Sequence, residues 1–430
     1  MDPIKPISAS RRAVLGVSAS LLAAGPVVAA GRADDAEALR ILERYQGFGD
    51  KAAGGPGDTA SGAWLEGELT GMGFACRRQT YDVPAFEGEA SLTTGAVSAG
   101  LIPQAIVLTT SGDGVSGPLY VAGAGKGGAG IALLVLPYAR WSSAVGQIER
   151  RVRAVIRAGA SAVVIVTTGP SGEALALNAP VDKPMFDRPV AVLAPKDAEP
   201  FLQAAASGQA ATLRIAGRAF RRPAFNVTAT LTRGAARTLV ISTPRSGWFG
   251  CAGERGSGMA AYLLLVRWAA QANLPVNIAL VATSGHEYEN AGGEHFIRDL
   301  APRPDNTALW VHLGANVAAR DWHERGAVLS PLPGADSQRY LLASPQLMGA
   351  AKAAFMGQPG LEQVYPADPA LAAGELGNIL RAGYNPAIGV FGGHRFHHAR
   401  ADDLRCVSAP LVPPVADAFA RVIVSALGAA

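Results

Sequence analysis

Histidine is the commonest protein ligand for metals and the usual acid–base group near neutral pH. This chain confines it: all seven histidines of its 430 residues fall between His286 and His398. Three share the run Gly392-Gly393-His394-Arg395-Phe396-His397-His398, and a fourth stands beside a carboxylate in Ser284-Gly285-His286-Glu287. Imidazole next to carboxylate suits a metal site, a proton-transfer pair, or both. A histidine on its own is more often a loop or core residue, which is the reading for His295 and His323. The groups able to join the clustered ones are Glu254, inside the glycine-rich stretch 246–258, His312, and Asp402, four residues beyond His398.

Other chemical signatures fail. Gly123-Ala124-Gly125-Lys126-Gly127-Gly128 has the spacing of a dinucleotide loop, but such a loop opens a helix, and the residues that follow, 131–136, read as a strand. A turn is the better reading. Gly256-Ser257-Gly258 is not a nucleophile elbow, because Arg255 and Met259 stand at the outer glycine positions. Cys76, Cys251 and Cys406 are odd in number and widely spaced, and match no metal-knuckle pattern. They read as small buried apolar residues, with one disulfide open to them in an oxidising compartment.

The elements that must hold the histidines alternate between strand and helix. Apolar periodicity predicts helices over 35–48 and 61–72 and a strand over 74–83. Residues 100–218, which contain no histidine, carry buried-strand runs at 131–136, 162–167 and 190–193, with helices at 148–158 and 200–206. Strands follow at 225–231, 238–243, 276–283 and 308–312, with helices at 259–270, 292–300, 346–355 and 415–427. Such alternation implies a sheet covered on both faces, whose ligand crevice lies just past the strand C-termini. Thr243, His286-Glu287 and His312 fall at or just beyond predicted strand ends.

With 49% apolar and 17% charged residues, the chain has material for a large core. Its formal charge of +4 is small, and no Lys/Arg run or basic-aromatic stripe points to nucleic acid. Ser10-Arg11-Arg12-Ala13-Val14-Leu15 is a twin-arginine pattern, and Val28-Ala29-Ala30 offers a small-residue cleavage site. Residues 1–30 are therefore expected to be an export signal. That implies a periplasmic or secreted protein with no membrane span once the signal is removed.

Taken together, Asn226-Val227-Thr228-Ala229-Thr230, Leu239-Val240-Ile241-Ser242-Thr243, Gly253-Glu254-Arg255-Gly256-Ser257-Gly258, Thr283-Ser284-Gly285-His286-Glu287 and Phe396-His397-His398-Ala399-Arg400-Ala401-Asp402-Asp403 form a pattern. It resembles the zinc-dependent exo-aminopeptidases with two co-catalytic metals, a family related to the glutaminyl cyclases. The resemblance covers about 36–90 and 222–428. It implies a three-layer α/β/α domain over 35–90 and 222–430 with a central mixed, mostly parallel sheet. Residues 100–218 resemble the protease-associated, β-rich α/β domain that many members carry as an insertion.

Carried over position by position, the resemblance implies an altered metal site. The family's first zinc-binding histidine falls on Thr243, and the aspartate that orients it falls on Arg245. The bridging aspartate becomes Glu254, and the Glu-Glu pair of base and ligand becomes His286-Glu287. The next ligand aspartate falls near Val311 or His312, and the last histidine ligand falls on His398. Three ligands remain for one zinc ion: Glu254, Glu287 and His398. His286 is the expected general base, and His312 is expected as a hydrogen-bond donor or fourth ligand. Arg245 is expected to repel a second cation and to pair with Glu254, and His397 to shape the loop. A cis peptide after Glu254 is a further family feature. The function implied is an exported, zinc-dependent peptidase or amidohydrolase acting on small peptides or amides. The alternatives are an inactive binding protein on a peptidase fold, or a glutaminyl-cyclase-like acyltransferase.

Overall fold

The computed structural model describes residues 27–428 other than 105, 125, 126 and 327. The expected export segment lies almost wholly outside the described residues, as do Gly125 and Lys126 of the glycine run.

The chain opens with helices α1 (Val27–Gln46) and α2 (Pro56–Gly71) and a long strand β1 (Ala75–Thr94). Pro56 starts α2 where a missing N–H costs nothing, and Asp58 stands in its first turn. A lobe follows: β2 (Val97–Pro103), β3 (Val115–Val121), β4 (Ile131–Val135), α3 (Val145–Arg157), β5 (Ala162–Val166), β6 (Val190–Leu193) and α4 (Glu199–Ala206). Strand β7 (Ala210–Leu231) returns to the main body. There the elements are β8 (Thr238–Pro244), α5 (Ser257–Gln271), β9 (Asn277–Thr283), α6 (Ala291–Asp299) and β10 (Thr307–Leu313). A hairpin β11 (Arg320–Arg325) and β12 (Val328–Ala335), then β13 (Arg339–Ala343), α7 (Met348–Ala354) and β14 (Val364–Pro366) come next. The last elements are α8 (Glu375–Arg381), β15 (Ala387–Gly392) and α9 (Pro413–Leu427).

The main-body strands run in the order β7-β9-β8-β10-β15-β13-β14. β9, β8, β10 and β15 are mutually parallel, while β7 and β13 flank them antiparallel. All seven residues of β10 are buried, as expected of a strand covered on both faces. On β8, Leu239 and Ile241 face the side covered by α1, α5 and α9, while Val240 faces Phe296 of α6, Trp310 and Ile379 of α8. That period of two creates the three-layer α/β/α sandwich expected from the sequence. Ala409–Leu427 is long and apolar enough to cross a membrane, but here Val415, Phe419 and Val422 of α9 lie in the core.

β1 and β7 pair along almost their whole length, from Ala75 opposite Thr230 to Thr93 opposite Thr212. The stretches between the expected domains, near 90–100 and 218–222, fall in this ribbon, in β2 and in the tight turn Gly95-Ala96 that joins it to β1. Pro84 and Pro223, with charges such as Glu87, Glu89, Arg214 and Arg218, break the apolar alternation there and hide the ribbon from a periodicity reading. Because β1 pairs with both β2 and β7, the strands β1-β2-β6-β5-β4-β3-β7 close into a ring. One core of this lobe includes Leu175 and Leu177 and continues into the main body through Trp322, Phe396 and Ala399. The three cysteines are unpaired, with Cys251 and Cys406 buried.

Candidate metal centre

The loops after β8, β9, β10 and β15 emerge at one edge of the parallel strands, and they carry the site. After β8 the chain passes Cys251 at φ 40 and winds into a π-helical turn, Ala252–Gly256, which holds Glu254. Such turns recur at functional sites because the extra residue re-aims a side chain. After β15, the loop bearing the histidine run puts His398 at φ 64, an uncommon conformation for a residue with a Cβ.

Three buried side chains converge. Glu254 Oε1 lies 3.4 Å from His398 Nε2 and 3.6 Å from His397 Nε2. One ligand atom from each residue lies within 4.8 Å of the others. Tetrahedral zinc with bonds of about 2.0–2.1 Å sets its ligand atoms roughly 3.3–3.4 Å apart, so both separations suit a shared ion. Neither carboxylate oxygen of Glu254 makes a hydrogen bond, although both are buried, and Oε1 meets the Arg255 guanidinium only as an ion pair. The His398 Nδ1 stands 2.9 Å from the Ala176 carbonyl oxygen. A carbonyl only accepts, so Nδ1 carries a proton, and Nε2, which faces Glu254, is the nitrogen left for a metal. Burial would raise the Glu254 carboxyl, but the Arg255 guanidinium beside it holds it well below its ordinary value. Burial also holds His397 well below the usual imidazole range, which leaves it in its neutral, metal-binding form.

Several positions differ from the sequence expectation. Glu287 does not join the group. Its Oε1 accepts from the Ala53 N–H at 2.8 Å and its Oε2 from the Ser246 hydroxyl at 2.6 Å. Both oxygens thus tie two loops together. Burial pushes this carboxyl up to about 7, against the lowering by Ser246. His397 takes the third place instead. Arg245 does not pair with Glu254. Its Nη2 lies 2.9 Å from Asp58 Oδ1, both side chains are fully buried, and the guanidinium packs over the Phe225 ring. The cation beside Glu254 is Arg255, whose Nη2 is 2.7 Å from Oε1. Thr243 donates its hydroxyl to the Leu313 carbonyl at 2.8 Å. The Glu254–Arg255 bond is trans, the cis bond among the described residues being Asn385–Pro386.

Asp402 braces the turn. Its two oxygens accept from the N–H groups of Gly253 at 2.7 Å and Glu254 at 3.1 Å. The Phe396 N–H points at His394 Nδ1, so Nε2 is the protonated nitrogen and donates to Asp402 Oδ2 at 3.0 Å. His394, Asp402 and Cys406 form a second close cluster, but the polar atoms of the first two are spent on these bonds.

The centre opens into a cavity of about 450 Å³, with His286, His312, His397 and His398 among its walls. Burial and Arg255 lower the His286 pKa, while its Nδ1 sits 3.5 Å from Glu375 Oε1. Glu375 also accepts from the Thr283 hydroxyl at 2.6 Å. Sequence reasoning missed Glu375: it is a single acid at the start of α8, with no spacing relation to His286. Burial lowers His312 to about 4, so it is neutral. Its Nδ1 meets Ser242 Oγ at 2.9 Å, and that oxygen accepts from Trp310 Nε1. His295 stacks on Tyr81, and His323 is exposed on the hairpin.

No family model matches the chain, and no curated protein matches it. Solved structures do. The zinc aminopeptidase BSAP from Bacillus subtilis has a TM-score of 0.71 at 15% identity, covering 91% of this chain and 95% of that one. The aminopeptidase from Aneurinibacillus sp. strain AM-1 has a TM-score of 0.65 at 16% identity, covering 92% and 94%. A Peptidase M28 precursor from Shewanella amazonensis SB2B has a TM-score of 0.66 at 15% identity, covering 92% and 97%. At such identities the likeness is one of fold, and it is the fold that the sequence motifs implied.

Proposed function

We propose that this chain is an exported, metal-dependent amide hydrolase of the exopeptidase type, with one zinc held by Glu254, His397 and His398. The observation that carries this reading is the convergence of three buried donor atoms, Glu254 Oε1 lying 3.4 Å from His398 Nε2 and 3.6 Å from His397 Nε2, with Glu254 making no hydrogen bond and meeting only the Arg255 guanidinium as an ion pair. Zinc as the ion is supported by the O,N,N donor set and by BSAP, a zinc aminopeptidase of the same fold. Held by Glu254, His397 and His398, a zinc ion would supply Lewis-acid polarisation of an amide carbonyl.

The chain's own residues supply the rest. A water adds to the amide carbonyl carbon, and His286, in the cavity wall, takes that water's proton and passes it to the amine that leaves as the C–N bond breaks, with Glu375 Oε1 3.5 Å from its Nδ1. Ser242 Oγ lies 2.9 Å from His312 Nδ1 and 3.5 Å from the Val311 carbonyl; in the tautomer where Ser242 donates to Nδ1, His312 holds its proton on Nε2 for a substrate oxygen. The lobe walls the cavity through Arg140, which pairs with Asp336 and donates to the Gly393 carbonyl. A cavity closed on that side favours chain ends and small amides. The lobe is read as protease-associated and residues 1–30 as a twin-arginine signal, on the sequence pattern alone.

A second reading, a metal-free binding protein, is favoured by one observation: Arg255 already gives Glu254 a buried cation at 2.7 Å. Metal analysis of protein exported and folded in a zinc-replete host separates the two. The enzyme reading expects near one zinc per chain, and a content near zero sinks it. Product analysis on short peptides expects a free amino acid, whereas pyroglutamate would reassign the activity to acyl transfer.

A further inference from the structure

The lobe contributes more than a wall. Between α3 and α4, residues 171–181 form a stretch without regular secondary structure, and residues 174–177 and 179 are buried. Buried irregular backbone must find hydrogen-bond partners somewhere. Here key partners belong to the main body. The Ala176 N–H donates to the His398 carbonyl at 3.0 Å, and the Ala176 carbonyl accepts from His398 Nδ1 at 2.9 Å. The Ala179 N–H donates to the Glu287 carbonyl at 2.9 Å. Asn178 Oδ1 accepts from Trp248 Nε1 at 2.9 Å. The stretch therefore touches the loops after β8, β9 and β15, three of those that build the site. Leu175 and Leu177 anchor it in the same apolar cluster as Phe396 and Ala399, the residues that flank His397-His398.

We propose that residues 171–181 are a positioning strap and part of the metal centre. The Ala176 carbonyl fixes which nitrogen of His398 is free to bind. Zinc on Nε2 in turn holds the ring where it can donate to Ala176. Docking of the strap and binding of the metal then favour each other, and the coupling runs equally in both directions. Without the strap, His398 has no acceptor for Nδ1 and its ring is free to turn.

This inference rests on the metal reading above, and its test keeps the two apart. Hydrogen–deuterium exchange is measured on the full chain, chelated and then with one equivalent of zinc. Exchange at the amides of Ala176 and Ala179 is expected to slow at least tenfold with zinc, while β5 in the lobe's own sheet is unchanged. Ala176→Pro, which removes the donor to His398, is expected to weaken zinc binding at least tenfold. Asn178→Ala, which only cuts the bond to Trp248, is expected to weaken it severalfold and serves if the proline variant does not fold. Stoichiometric zinc uptake with unchanged exchange in the strap overturns the strap and leaves the metal site standing. No zinc uptake overturns both.

Discussion

Glu287→Gln separates a ligand from a buried structural acid. The wild-type carboxyl is fully buried, and its pKa rises from 4.5 to about 7. Folding therefore takes up a proton between those two values. The group's contribution to stability is fully present below pH 4.5 and is lost as pH rises through 7, a total of about 3 kcal/mol at 1.36 kcal/mol per pH unit. Glutamine keeps the shape and an acceptor for Ala53 or Ser246 but cannot ionise. The stability of the variant relative to the wild type is thus expected to improve by roughly 2–3 kcal/mol between pH 5 and pH 8. Urea unfolding of chelated protein at both pH values reads this directly, and zinc titration at pH 7 is expected to give an affinity close to wild type. A difference that stays flat with pH, or a variant that loses zinc, would refute the account. Glu287 would then be the ligand that its sequence neighbourhood suggested.

Removing either His397 or His398 by substitution to Gln is expected to cost zinc affinity beyond the roughly 10–100-fold typical of an outer-shell partner, with His295→Gln unchanged; competition against a chromogenic chelator measures both. Arg245→Met strands Asp58 as a buried lone charge, so a loss of about 3–5 kcal/mol is expected in urea unfolding with zinc stoichiometry retained. His286→Asn is expected to lower turnover of an amino-acid anilide about 10²–10⁴-fold while zinc content stays the same, and Glu375→Gln to lower it less. Unchanged turnover in the His286 variant would remove it as the base.

Much of the fold could be read from the chain. The buried parallel strands β5, β8, β9 and β10 announce themselves because both faces are covered, which makes their sequences continuous apolar runs. The strand that leads to the histidine run was not legible. β15 is short, follows Asn385-Pro386 and contains two glycines, so nothing in its pattern favours a strand until β10 and β13 pair with it. The β1–β7 ribbon was half legible for a similar reason: its partnered length depends on a strand more than a hundred residues away.

The site divides along the same line. The sequence by itself determined the chemical inventory: histidines confined beyond position 285, an acid in the glycine-rich stretch, and a threonine rather than a histidine at position 243. Spacing could also place these groups at strand ends, because strand periodicity is local. Only the tertiary structure decided which of them share a point. Glu287 and Arg245 are turned to Ser246 and Asp58, while His397 turns in toward Glu254. Each of those choices is set by where a distant element leaves an unpaired hydrogen-bonding group in the low-dielectric interior, and a buried polar atom goes to the partner it can reach.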